Sequence, residues 1–268
     1  MDSIPVNGLT LYYDEDGAYA LDLVREACER GIQIMQDSWQ LNTPEECRAY
    51  IMTSWQGYLS HAAPRSWRIL MAVTAPLWSA RVKATWEIAG GWEQQFGSRH
   101  TFGVKPPHLL QAADSGLGKR VFVKEENIDV KVQHNTCHEL THAFTSHLKL
   151  PMWLKEGLAM VSVDLYVGKP TVKIETLDTL ANASPDTSPG SYRQVRLSDP
   201  DSLVYQYVRA YWLTRYIDET QPALLKETLE RRYKHRLLES KVANAYGMQA
   251  ETFWHEIDAA IFAHFKRE

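Results

Sequence analysis

The sequence predicts an α+β fold, with a mixed strand-and-helix part over residues 1–126 that holds the sheet and a mainly helical part over 127–268. Three observations carry this expectation. Short β-rich runs, Leu9–Tyr13 and Arg120–Lys124, lie in the first part. Glycines and prolines at Gly90-Gly91, Gly97, Gly103 and Pro106-Pro107 break its middle into short segments. From Asn127 onward the apolar residues recur at helical spacing between recognisable start and stop signals.

Taken in order, Leu9-Thr-Leu-Tyr-Tyr13 reads as a strand, and the acidic cluster Asp14-Glu15-Asp16 then favours a helix start through the dipole. Ala20, Leu21, Val24, Ala27, Cys28 and Gly31-Ile32 repeat with helical period. Thr43-Pro44-Glu45-Glu46 predicts a second helix start, with Thr43 as N-cap and Pro44 in the first turn. Trp67–Val73 is β-rich in character. Ser115-Gly-Leu-Gly118 reads as a turn before the strand at Arg120–Lys124. Asn127 is the expected N-cap of a helix that runs to about Lys149 and is ended by Pro151. A second helix is expected over Trp153–Asp164, a loop-rich stretch over 166–200 that includes Ser184–Gly190, and further helices near 201–218, 222–238 and 250–265.

Composition narrows the function classes. Of 268 residues, 44% are hydrophobic and 23% charged, which is ordinary for a chain with a sizeable core. A formal net charge of -4 gives no reason to expect a nucleic-acid or membrane-surface partner. No basic region followed by an apolar run opens the sequence, and three cysteines (Cys28, Cys47, Cys137) are too few for a disulfide framework, so a cytoplasmic setting is expected.

The chemistry-bearing motif is His138-Glu139-Leu140-Thr141-His142. Residues i and i+4 of a helix share a face one turn apart, so two imidazoles can meet one metal ion without bending the backbone. Glu139, next to the first histidine, can reach a metal-bound water but is poorly placed as an equal ligand. Zinc lowers the pKa of such a water, and a neighbouring carboxylate can take its proton during attack on a peptide carbonyl. Because the pattern fixes only three residue types, it also arises by chance in unrelated helices. A third histidine at the spacing HExxHxxGxxH is missing: Thr145 and Leu148 stand at the Gly and His positions, and His147 is off the spacing. The other source of a ligand is a Glu on the following helix, and Glu156 in Trp153-Leu-Lys-Glu156-Gly-Leu-Ala159 is so placed once Pro151 turns the chain.

His138–His142 followed by Trp153–Ala159 resembles the gluzincin metallopeptidases, most of all the peptidase MA-like proteins and more loosely the catalytic domains of bacterial collagenases. That resemblance implies a zincin-like fold with the metal site between the two parts, Zn2+ held by His138, His142 and Glu156, and Glu139 as general base acting on a peptide or protein substrate. It extends to Tyr207–Ile217, which is similar to the family's Y-x-x-S-Y-x-x-V-R-Y-L helix with Ala210 in place of Ser. It implies that a tyrosine there, Tyr207 with Tyr205 and Tyr211 as alternatives, stabilises the oxyanion. The likeness spans about residues 120–220, and departs where relatives carry an acid one turn after the ligand Glu: here stands Met160, with Asp164 a turn further.

Two other readings compete: a non-catalytic zinc protein, and a helical interaction module with a chance HExxH. Retention of Glu139 and the presence of only three donors speak against a closed structural site. His134, a turn before His138, lies too far along the axis to share one tetrahedral ion, Cys137 points to the core, Gly116–Lys119 lacks phosphate-loop spacing, and Arg231–Arg236 reads as a solvated helix face.

Overall fold

The structure is a computed structural model that describes residues 1–112, 116–182 and 199–266. It is an α+β protein with one five-stranded mixed sheet. None of its helices is long and apolar enough to cross a membrane, among the described residues. The chain forms two compact units, one of Met1–Ser115 with Glu125–Phe144 and the other of Gly116–Lys124 with Thr145–Glu268.

The first unit contains the sheet. Strands β1 (Asp2–Val6) and β2 (Leu9–Tyr13) form an antiparallel hairpin. Asn7 and Gly8, at φ of 42° and 90°, make its two-residue turn, as an Asn-Gly pair between apolar runs does. Helix α1 (Leu21–Asp37) crosses over to β3 (Glu46–Ile51), which pairs parallel with both β2 and β5 (Arg99–Val104). Strand β4 (Gly91–Phe96) closes the order β1-β2-β3-β5-β4 as an antiparallel edge. Between β3 and β4 lie α2 (Trp55–Ala62) and the 24-residue α3 (Arg65–Ile88), and a short α4 (Pro107–Ala112) follows β5.

Three local expectations fail here. Thr43-Pro44 does not start a helix, because Cys47, Ala49, Tyr50 and Ile51 are buried in the central strand of the sheet, and pairing on both sides outweighs the capping signal. Trp67–Val73 is helical, within α3, because Met71, Trp78, Val82 and Trp86 repeat at helical spacing against a cluster of Tyr50, Met52, Tyr58, Leu59 and Phe96. Arg120–Lys124 is not a strand: α5 (Gly116–Val121) takes its first residues, and only an isolated bridge from Phe122 to Val172 remains. Of the turn expected at Ser115–Gly118, Ser115 lies outside the described residues and Gly116 already opens α5.

Helix α6 (Ile128–Thr145) carries the motif and begins as expected, with the Asn127 side chain accepting from Asp129 N–H at 2.9 Å. It packs against α1 closely enough that a Cβ on Gly31 would stand 2.7 Å from Leu140 Cδ2. A 3-10 turn at Ser146–Leu148 follows, and Lys149, left-handed at φ 53°, ends it before Pro151 is reached.

The second unit is built around α7 (Met152–Val167) and α9 (Pro200–Thr220), with α8 (Leu177–Asn182), α10 (Pro222–Glu230), α11 (His235–Ala245) and α12 (Phe253–Phe265). The single helix expected near 222–238 is two, α10 and α11. The stretch 166–200 is less loop-like than expected, since α8 lies in it, and Ser184–Gly190 falls outside the described residues. Fully buried Arg209 on α9 pairs with Asp258 on α12 through Nη2 at 2.9 Å and Nε at 3.1 Å. Its guanidinium also lies over the rings of Tyr205 and Trp254. A charge this deep is tolerable only when paired and hydrogen-bonded, as it is here.

Candidate metal centre

His138, His142 and Glu156 each offer one ligand atom, and the three atoms lie within 4.8 Å of one another. The two imidazoles are 4.6 Å apart at their centroids and nearly perpendicular, at 84°. His142 and Glu156 are buried, while His138 is half-buried. This is the one set of three His, Cys, Asp or Glu donors that converges in this way among the described residues, and it excludes both His134 and the exposed His147.

Two nitrogens and one carboxylate oxygen are donors of the kind zinc takes. Three atoms no more than 4.8 Å apart share a point at most about 2.8 Å from each, and zinc sits about 2.0–2.2 Å from such ligands, so small side-chain movements would close the shell. The donor set therefore fits a tetrahedral ion with one position open.

Local sequence explains the placement of the third donor. A carboxylate with no exposed surface, among Trp153, Leu154, Leu158 and Ala159, is costly to bury unless positive charge or hydrogen-bond donors meet it. Gly157 beside it is dictated by packing. A Cβ there would lie 2.1 Å from the backbone oxygen of Ala210 and 2.0 Å from Thr214 Oγ1, so α7 and α9 touch backbone to backbone at that turn. Ala210, the departure from the family-like pattern, is fully buried at this crossing.

Glu139 is also buried, and its neighbour was not singled out by sequence reasoning. A Cβ on Gly91 would stand 2.4 Å from Glu139 Cγ and 2.9 Å from Oε1. The first residue of the β4 edge strand is thus a glycine because the Glu139 side chain occupies the space a larger residue would fill. Gly90 is likewise pressed against Asn135 on α6. The signal was present as Gly90-Gly91, but paired glycines also mark ordinary turns. Tyr58 lies near as well: burial, with a smaller contribution from the Glu93 and Glu139 charges, raises its phenol well above the usual range. Its hydroxyl meets the Trp92 carbonyl at 3.2 Å and Thr101 Oγ1 at 3.1 Å.

The three tyrosines of α9 separate by their partners. Tyr205 donates to Asp258, and Tyr211 donates to Asp164 at 2.6 Å. Tyr207 packs against Leu203 and against Met152, one turn before Glu156 on α7. Asp164 accepts from Thr171 N–H, Thr171 Oγ1 and Tyr211, and Met160 is buried. Cys137 is wholly buried, and its thiol is pushed up to about 12 by burial, which suits a core residue.

Compared with known proteins, the chain matches no protein-family model, and no curated protein resembles it closely enough to count as a relative.

Proposed function

We propose that the chain is a zinc-dependent peptidase of gluzincin type, with His138, His142 and Glu156 as ligands, Glu139 as general base and Tyr207 as oxyanion donor. The observation that carries this reading is the convergence of the three ligand atoms within 4.8 Å. Zinc held there would act as a Lewis acid with an open position for water or a carbonyl oxygen.

The residues divide the remaining work. Glu139 takes the proton of the attacking water and passes it to the departing amine nitrogen. Its contact with Gly91 fixes the carboxylate beside the start of β4. As an edge strand, β4 has backbone N–H and C=O groups with which an extended peptide can pair. Its neighbour β5 is interior to the sheet. Tyr207 is the oxyanion donor of this reading because it packs on Met152, one turn before Glu156 on α7.

Metal analysis and a peptide library test the proposal together. Purified protein should carry about one zinc per chain and cleave a subset of the library. Glu139→Gln should keep the metal and lower kcat at least about a hundredfold. Absence of metal would sink the site itself. Bound zinc with no cleavage, or a Glu139→Gln variant as active as the parent, would sink the peptidase reading.

A further inference from the structure

Helix α3 has no buried residue along its 24 positions, although it is rich in aliphatic side chains. Ile69 is 71% exposed, Leu70 54%, Val73 75% and Leu77 87%. At 100° per residue these four fall with exposed Pro76, Ala80 and Ala84 in one stripe about 120° wide, apolar from Ile69 to Ala84, with Ser66 before it and Glu87 and Ile88 at its far end. The opposite face, with Met71, Trp78, Val82 and Trp86, is the one that packs on the unit's core.

Cations border the stripe on both sides. Exposed Arg65 and Lys83 lie just beyond one edge and exposed Arg81 just beyond the other. The helix carries four Lys and Arg and a single acid, Glu87, in a chain whose net charge is -4. The whole-chain charge that argued against a membrane-surface partner averages over this local excess.

We propose that α3 lies on anionic bilayers, with Ile69, Leu70, Val73 and Leu77 in the acyl boundary and Arg65, Arg81 and Lys83 at the lipid phosphates. Long cationic side chains flanking an apolar stripe let the stems lie in apolar surroundings while the charges stay at the headgroups. The helix surface is a ridge: exposure as high as 87% at Leu77 leaves no neighbouring wall. A helix from another protein seats in a groove, whereas an interfacial helix needs a protruding face. A second copy of the chain is disfavoured by charge. Two α3 helices packed face to face repel on balance, because each carries four cations against the one acid Glu87. This surface mode needs no membrane-spanning helix and does not depend on the metal centre.

Flotation with vesicles tests this. Full-length protein should float with phosphatidylcholine vesicles containing one-third phosphatidylglycerol, float poorly with phosphatidylcholine alone, and be released by high salt. Arg81→Glu with Lys83→Glu should weaken binding about thirtyfold, and Leu77→Asp about tenfold or more. Circular dichroism and urea midpoints equal to the parent's would show that these surface variants remain folded. No flotation with anionic vesicles overturns the proposal. So does binding that neither variant weakens, capture of an acidic amphipathic peptide without vesicle binding, or a dimer in light scattering that Leu77→Asp splits.

Discussion

Helix α7 has twelve buried residues out of sixteen, and helix α3 has none out of twenty-four. Both are apolar by composition, and both are bordered by a proline at their start, Pro151 and Pro64. The difference lies in what lets another backbone come close. In α7, Gly157 removes the side chain at the crossing with α9, and Ala210 answers it, so the two helices meet along their main chains. In α3 the packed side is made of large side chains, Trp78 and Trp86 among them, that hold the helix off the core. Apolarity decides that a helix seeks cover, and small residues decide how completely it can be covered.

The sharpest way to break the comparison is to remove the small residue. Gly157→Ala should cost about 3 kcal/mol or more, because the new methyl meets a main-chain oxygen that cannot rotate away. Urea unfolding measures this as a lowered midpoint at unchanged slope. A cost below about 1 kcal/mol would show that α7 and α9 can move apart freely. It would also remove the packing reason for a glycine next to Glu156.

A pH-dependent effect of intermediate size probes how α3 is attached. Lys105 is only 3% exposed, its ammonium donates to the Trp86 carbonyl near the end of α3, and it lies 4.4 Å from the Trp86 ring centroid. Burial pushes the ammonium down to about 8, against a nearby Glu87 that favours the charge. In the unfolded chain a lysine titrates near about 10.4. Between those values the unfolded chain binds more protons than the folded one, so stability rises with pH through that window. Below about 8 both states are protonated and the burial penalty is felt in full. Paired unfolding curves at about pH 7.5 and about pH 10 should show the parent gaining on the order of 2 kcal/mol relative to Lys105→Met. An identical pH response in the two proteins would mean that the ammonium is solvated, and that α3 is held less closely at that end.

How much was legible beforehand follows the range of the forces involved. The α6 start at Asn127, the donors on α6 and α7, and the burial of Cys137 rest on local spacing and on residue character, and these can be read from one stretch of sequence. Strand β3 could not be, because its identity comes from β2 and β5, which are remote in sequence, and the Thr43-Pro44 signal is local. Helix α3 misled for a different reason. With apolar residues on its exposed and its packed sides, Trp67–Val73 shows no clean period and reads as a strand. Gly91 was visible only as a turn-forming residue, since nothing in the sequence places it against Glu139, which lies far along the chain. The partners of Tyr205 and Tyr211 needed coordinates for the same reason.

The smallest effect is the most direct measure of the contrast between the two helices. Leu77→Gln changes a side chain that is 87% exposed, and Gln is nearly as good a helix former as Leu. The unfolding midpoint should therefore move by no more than about 0.5 kcal/mol in free energy. The same exchange at Leu158, which has no exposed surface on α7, puts an amide among apolar neighbours and should cost at least about 3 kcal/mol. The pair isolates environment from chemistry, because residue type and helical state are held constant. A large loss at Leu77 would mean that the α3 stripe is covered in solution by another copy of the chain, and the stability would then depend on protein concentration. With no such dependence, Leu77 spends none of its apolar surface on the fold, and that surface remains available for a bilayer.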